Sequence, residues 1–235
     1  MSHLESLIKQ IPTIEECLGY TFSDKNLLAL AFVHRSFFNE HRDSVKEHNE
    51  RIEFLGDSVL GLIVSDYLYN QLPNHPEGQL SLLRSKIVEA PACMLYVLKL
   101  GIASHMLLGK GERMNEGRGR ETILADLFEA LVGAVYVDGG MEEARRFFLG
   151  NFSNDIDQMI AQPTRNWKAE LQDYSQKKHQ KPPIYKVIKE EGPDHGKEFH
   201  IVVLIDEEEM GEGKGPSKKL AEQAAAEDAL RKIHG

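Results

Sequence analysis

Along its hydrophobic and polar positions the 235-residue chain changes period once. From the N-terminus to about residue 161, apolar residues recur at three- and four-residue intervals, the spacing of helices that bury one face. Breakers such as Pro73, Pro76 and Gly139-Gly140 cut this pattern into helices at roughly 4–10, 13–18, 24–33, 47–70, 79–99, 121–137 and 141–161. The period fails around Gln162-Pro163-Thr164-Arg165-Asn166. A short helix from about Asn166 to Lys177 then precedes alternating strands near Ile184–Glu190 and Glu198–Asp206, a third near Glu209–Gly213, and a helix opening at Ser217. The expected architecture is multi-domain: an all-α domain over 1–161, a linker over 162–166, and a small α+β module of order α-β-β-β-α over 167–235.

Two stretches of the all-α part are apolar almost all round, NERIEFLGDSVLGLIV from Asn49 and TILADLFEALVGAVYV from Thr122, yet they carry Glu53 and Asp57, and Asp126 and Glu129. A charge in such a helix is expensive unless a cation or hydrogen bonds compensate it. Glu53 and Asp57 are four apart and Asp126 and Glu129 three apart, so each pair projects from one helix face. Two such helices packed together would present a cluster of oxygen ligands. Oxygen donors without His or Cys suit Mg²⁺ or Mn²⁺, ions that serve phosphoryl-oxygen chemistry. A lone Asp or Glu is ordinarily solvated, so the pairing carries the argument. A di-iron bundle would want Glu-x-x-His pairs, and no His here follows a Glu by three. Gly56, Gly61 and Gly133 lie inside the same helices, where each costs roughly 0.5 to 1 kcal/mol relative to Ala and predicts a close packing contact.

Charge complicates the picture. The chain carries a formal −9, whereas a nucleic-acid binder is expected to show a basic footprint. The acidity is uneven: residues 1–162 hold 15 Lys and Arg against 23 Asp and Glu, net −8, and residues 163–235 hold 13 against 14, net −1. Bound cations would neutralise part of the first half, and affinity for a polyanion follows local basic patches rather than the total. Lys110, Arg113, Arg118 and Arg120 make one such patch before the second acidic helix, either a solvated loop or a phosphate guide. Another lies at Ser217-Lys218-Lys219. Ser217 is a good N-cap, but two cations after it oppose the helix dipole, which makes sense if that helix start holds a phosphate.

Other signals exclude more than they assign. Cys17 and Cys93 match no metal or redox spacing, no apolar run reaches the ~18 residues that span a bilayer, and the N-terminus lacks a signal-peptide pattern. These point to a cytoplasmic protein with reduced thiols, no membrane partner and no small-molecule cofactor. The glycines from Gly211 to Gly215 have no phosphate-loop spacing, since Glu208 stands where the first glycine would be needed.

His34-Arg35-Ser36, Asn49-Glu50-Arg51-Ile52-Glu53-Phe54-Leu55-Gly56-Asp57-Ser58 and Leu124-Ala125-Asp126-Leu127-Phe128-Glu129-Ala130 together closely resemble the bacterial ribonuclease III family, from about Tyr20 to the C-terminus. The resemblance implies a homodimeric, metal-dependent endoribonuclease that hydrolyses double-stranded RNA, leaves staggered ends with 5′-phosphate and 3′-hydroxyl termini, and processes ribosomal RNA precursors and messenger RNA. It implies that Glu53, Asp126 and Glu129 hold Mg²⁺, with Mn²⁺ as substitute, that Asp57 and Glu129 are catalytic, and that Glu50 and Glu77 line the cleavage site. Phe54 and Leu55 are candidates for the dimer interface, with core packing the alternative. Ala125 stands where the family often has Gly, a small-for-small change.

The closing segment from Gly211 to Glu222 and the element order look like a double-stranded RNA-binding domain. By that likeness Gln172 and Gln176 reach 2′-hydroxyls in the RNA minor groove, the Gly192-Pro193-Asp194-His195 loop enters a second groove with His195, and Lys218 and Lys219 meet phosphates. Glu222 and Gln223 depart from the basic residues that some such modules carry, which implies weaker binding by the module alone. Two rival readings are a non-catalytic RNA-binding relative, which should have lost a cluster acid, and a phosphohydrolase of small nucleotides, which would have no use for a duplex-length surface.

Overall fold

The computed structural model describes residues 3–114, 119–161, 166–192 and 197–234. The chain separates into two compact units, Met1–Pro163 and Thr164–Gly235. The first holds helices α1 (His3–Leu18), α2 (Lys25–Ala31), α3 (Arg35–Glu40), α4 (Glu50–Gln71), α5 (Glu77–Val88), α6 (Ala90–Leu100), α7 (Lys110–Met114) and α8 (Arg120–Ala161). The second holds α9 (Trp167–His179), strands β1 (Ile184–Glu191), β2 (Glu198–Ile205) and β3 (Glu208–Gly215), and α10 (Lys218–His234). No described helix is long and apolar enough to cross a membrane.

Helix ends depart from the sequence pattern where long-range packing decides. Helices expected at 4–10 and 13–18 are one helix that runs through Pro12. An interior proline costs about 3 kcal/mol, and the buried face of Leu7, Ile11, Ile14 and Leu18 offsets it. The single helix expected at 79–99 is two, parted at Glu89, whose backbone is extended (φ −68°, ψ 155°). Pro91 explains the break: without an N–H it cannot continue the ladder, so it opens the first turn of α6 instead. The Ile87 carbonyl beside the break accepts a hydrogen bond from the Tyr96 hydroxyl at 3.1 Å. In α8, Gly140 at φ 81° interrupts the helix between the segments expected at 121–137 and 141–161. α3 is a short helix between those expected at 24–33 and 47–70, and α7 is a short helix at the start of a stretch expected to be a loop.

α4 and α8 form the axis of the first unit. Val59, Leu60, Ile63 and Val64 of α4 are buried with Leu127, Phe128, Leu131 and Val132 of α8, and an aromatic group of Tyr96, Phe128, Phe148 and Phe152 fills the space toward α6. The two helices touch backbone to backbone at Gly56 and Gly133: a methyl group at residue 56 would collide with the Glu129 carbonyl, and one at residue 133 with the Ile52 carbonyl. A methyl group at the third of these glycines, Gly61, would meet nothing within 4 Å, so the packing contact expected of it is absent.

The second unit is an antiparallel sheet of order β1-β2-β3 with Ile201, Val203 and Ile205 of β2 turned toward the helices, where they pack with Leu171, Ala225, Ala229 and Leu230. Gly211, Gly213 and Gly215 alternate along β3 and lie against the α10 backbone at Ala229, Ala225 and Ala221. The glycine cluster that matched no phosphate loop is therefore a packing surface.

Candidate active site and RNA-binding elements

The glycine contact brings the first turns of α4 alongside those of α8, and the acidic residues meet there. Carboxylate oxygens of Glu53, Asp126 and Glu129 lie within 4.8 Å of one another, all three half-buried. Burial first, then the neighbouring carboxylates Asp57, Glu53 and Asp126, push Glu129 up to about 8. Burial, then the carboxylates Asp126, Glu50 and Asp57, push Glu53 up to about 7. Asp126 is also raised by burial and by Glu50, while Arg35 opposes the rise. Three acids held this close are short of positive charge, and their hard oxygens without nitrogen or sulfur suit a divalent ion of the magnesium type.

Asp57 stands one turn beyond Glu53 and is exposed, although its helix reads as buried in sequence. Its charge still reaches Glu53 and Glu129. Glu50, one turn before Glu53, is paired with the Arg35 guanidinium at 3.3 Å and lies 3.8 Å from the His48 ring. Glu77 is elsewhere. It opens α5, accepts a hydrogen bond from the Ser81 hydroxyl at 2.7 Å, and lines a cavity of about 370 Å³ with Leu62, Tyr69, Leu80 and Arg84. Those α4 residues lie nine to sixteen positions after Glu53, roughly 14 to 24 Å along the helix, so one chain alone does not bring Glu77 to the cluster.

In the second unit Gln172 and Gln176 are exposed, four residues apart on one face of α9. The Ser217 hydroxyl accepts a hydrogen bond from the Leu220 N–H at 3.3 Å, capping α10 as expected, and Lys218 and Lys219 are exposed beside it. The Lys218 ammonium also lies 5.6 Å over the Phe199 ring. Glu222 is ion-paired with Lys168 at 2.6 Å and Gln223 donates to the Asn166 side chain at 3.3 Å, so both departures from the basic pattern tie α10 to the start of α9. His195 and Arg118 lie outside the described residues. A second acidic group, Glu191, Glu198 and His200, gathers where β1 ends and β2 begins, but its acids are exposed and Glu191 is paired with Lys189.

Sequence reasoning missed the contact between Arg35 and Glu50. The available signal was the His34-Arg35-Ser36 triplet, which spacing alone could not place next to a helix fifteen residues later.

The sequence matches the family description "Ribonuclease-III-like" over residues 24–156 and "Double-stranded RNA binding motif" over residues 167–233. Ribonuclease 3 of Protochlamydia amoebophila is 59% identical over 233 residues, covering 99% of this chain and 96% of that one. Ribonuclease 3 of Streptococcus uberis is 44% identical, covering 99% of each. Among solved structures, the nuclease domain of ribonuclease III from Campylobacter jejuni superposes with a TM-score of 0.56 at 35% identity, over 63% of this chain and 96% of that one. A second structure of that domain, described for flexibility in a region involved in dimer formation, gives 0.53 at 36% identity over 60% of this chain and 96% of that one.

Proposed function

Because this chain belongs to the ribonuclease III family and is a metal-dependent endoribonuclease of double-stranded RNA, we propose that Glu53, Asp126 and Glu129 hold Mg²⁺, with Mn²⁺ as substitute, where the phosphodiester is cut. The observation that carries the reading is the convergence of these three half-buried carboxylates, two of them pushed toward neutrality. When bound, the ion supplies the Lewis acidity that activates water and offsets charge on the phosphoryl and leaving oxygens. Asp57, exposed at the rim, orients the attacking water and takes up its proton. Water oxygen bonds to phosphorus, the bond to the 3′-oxygen breaks, and that oxygen is protonated, which leaves a 5′-phosphate and a 3′-hydroxyl. Ribosomal RNA precursors and messenger RNA are the substrates that fit the family.

The RNA module supplies duplex affinity: Gln172 and Gln176 read 2′-hydroxyls, Lys218 and Lys219 contact phosphates, and His195 meets a second groove. Residues 1–161 and 167–235 serve as nuclease and RNA-binding domains joined by 162–166.

The working form is a homodimer in the cytoplasm. Phe54 is 76% exposed next to Glu53, and the cavity holding Glu77 is walled by Leu62, Leu68 and Tyr69 on the far half of the same helix and by Leu80 of α5. A twofold pairing of antiparallel α4 helices would seat each Phe54 in the cavity of the other copy. The same pairing carries Glu77 of the partner subunit to the Glu53 cluster, which accounts for a site residue that lies too far away within one chain. The test is cleavage of a long RNA duplex by the full chain with EDTA, Mg²⁺ or Mn²⁺; cutting in EDTA at the Mg²⁺ rate would refute the metal reading.

A further inference from the structure

The cleavage centre gathers five carboxylates, Glu50, Glu53, Asp57, Asp126 and Glu129, and an RNA phosphate must approach all of them. Besides burial, the charges that raise Glu53 and Glu129 are carboxylates. Arg35 is a cation whose charge reaches this group, at Asp126. Its side chain is 66% exposed and meets Glu50 at 3.3 Å. An exposed pair of this kind adds little to stability, so folding does not explain an arginine here.

The backbone beneath Arg35 is fixed from several sides. The His34 N–H donates to the Leu107 carbonyl at 3.1 Å and the Leu107 N–H to the Phe32 carbonyl at 2.9 Å. On the other flank the Asn49 N–H donates to the Val33 carbonyl at 2.9 Å, and the buried Asn49 amide donates to the Ala31 carbonyl at 3.2 Å. The His34 ring caps α3 by accepting from the Ser36 N–H at 3.2 Å, and the Ser36 hydroxyl accepts from the Gly109 N–H at 2.9 Å. Asn49 immediately precedes Glu50, so the bonds that hold the base of Arg35 also hold its carboxylate partner. A rigid base under an exposed, charge-paired tip is how a binding group is presented. Guanidinium has five N–H donors in a planar fork and can bridge a carboxylate and a phosphate together, which an ammonium does poorly.

We propose that Arg35 anchors substrate: steadied by Glu50, its guanidinium binds the non-bridging oxygens of an RNA backbone phosphate within one nucleotide of the scissile linkage. The inference rests on the placement of the cleavage centre at Glu53, Asp126 and Glu129. It assigns the residue that admits a polyanion to an acidic cleft and fixes its register there.

The test compares the full-length protein with Arg35→Gln and Arg35→Lys on an RNA hairpin in which single nucleotides are replaced by 2′-deoxy methylphosphonates, neutralising one phosphate at a time. Affinity is read in EDTA and single-turnover cleavage in Mg²⁺. In the unsubstituted protein, one position beside the cut should weaken binding and slow cleavage when neutralised. In Arg35→Gln that position should fall silent, the salt dependence of binding should become shallower by about 0.9, and cleavage of the unmodified hairpin should fall about 100-fold. Arg35→Lys should restore part of the affinity and less of the rate. Identical methylphosphonate profiles for the unsubstituted protein and Arg35→Gln would overturn the proposal. So would an Arg35→Gln change that has no effect in a Glu50→Gln background, because Arg35 would then only steady Glu50. Failure of the metal-site reading is separable: it would show as full cleavage by Glu129→Gln, whatever the methylphosphonate profile.

Discussion

Gly56 lies against the carbonyl of Glu129, so that a methyl group at residue 56 would overlap the backbone of the residue whose carboxylate completes the acidic cluster. Gly56→Ala must therefore push α4 away from α8. Overpacking of this kind costs about 1 to 3 kcal/mol, and a displacement near 1 Å at a reacting centre costs about 100-fold in rate. Thermal unfolding and single-turnover cleavage should both register the loss. Gly61→Ala, where the added methyl meets open space, should leave folding intact; a Gly56→Ala protein with normal stability and rate would show that the contact does not set the site.

Glu129→Gln should abolish cutting while leaving duplex affinity unchanged, since it removes a charge proposed to hold the metal and does not alter the RNA module. Gel-shift and cleavage assays on one duplex separate the two effects. Cleavage at the normal rate in saturating Mg²⁺ would remove Glu129 from the ligand set.

In metal-free protein the same acids link stability to pH. Glu53 and Glu129 start from an ordinary value of 4.5 and stand near 7 and 8 in the fold, so between those limits the folded chain holds protons that the unfolded chain has released. Their contribution is most favourable below about pH 4.5 and is lost as pH rises toward 8. Solvent screening of half-buried groups reduces the effect to on the order of 1 kcal/mol. In EDTA, Glu129→Gln should be the more stable protein at pH 8, with the advantage gone near pH 4; parallel unfolding-temperature curves would contradict this.

The proposed homodimer pairing through α4 would make Glu77 a residue supplied in trans. Phe54→Ala should sediment as a monomer at micromolar concentration. Glu77→Gln and Glu129→Gln should each be impaired, and a mixture of the two should regain activity, because one centre of the heterodimer then has an intact cluster and an intact Glu77 from its partner. No recovery on mixing would place Glu77 outside the centre or in cis.

The double change Lys218→Ala, Lys219→Ala should weaken duplex binding and reduce its salt slope by about 1 to 2, independent of base sequence. At low salt and high Mg²⁺ the protein should still cut, because the acidic cluster of the first unit is untouched. An unchanged salt slope would show that these lysines do not touch phosphate.

The long α4 and α8 were legible because their residues keep one period over many turns, and the acids stood out against that apolar background. What the sequence hid depends on distant partners. Pro12 reads as a terminator until the buried face of α1 is known, and Gly56 and Gly61 read alike although only one meets another backbone. Glu77 carries no mark of its distance from Glu53, and Arg35 none of its contact with Glu50. The period of a segment reveals which face it buries; which segment covers that face is a property of the whole fold.

Gly211, Gly213 and Gly215 against Ala229, Ala225 and Ala221 amount to a pair of graduated scales. Two strand residues advance about 6.8 Å and four helical residues about 6.0 Å, so the scales drift by about 0.8 Å at each mark. Across three marks the drift is tolerable; a fourth or fifth would bring glycines under the gaps between alanines. The match is thus self-limiting, and it calibrates where α10 begins. A two-residue slip of β3 would move Lys218 and Lys219 by about 6.8 Å relative to the sheet, so the ruler that holds the module together also fixes the position of the two lysines proposed to meet the RNA backbone.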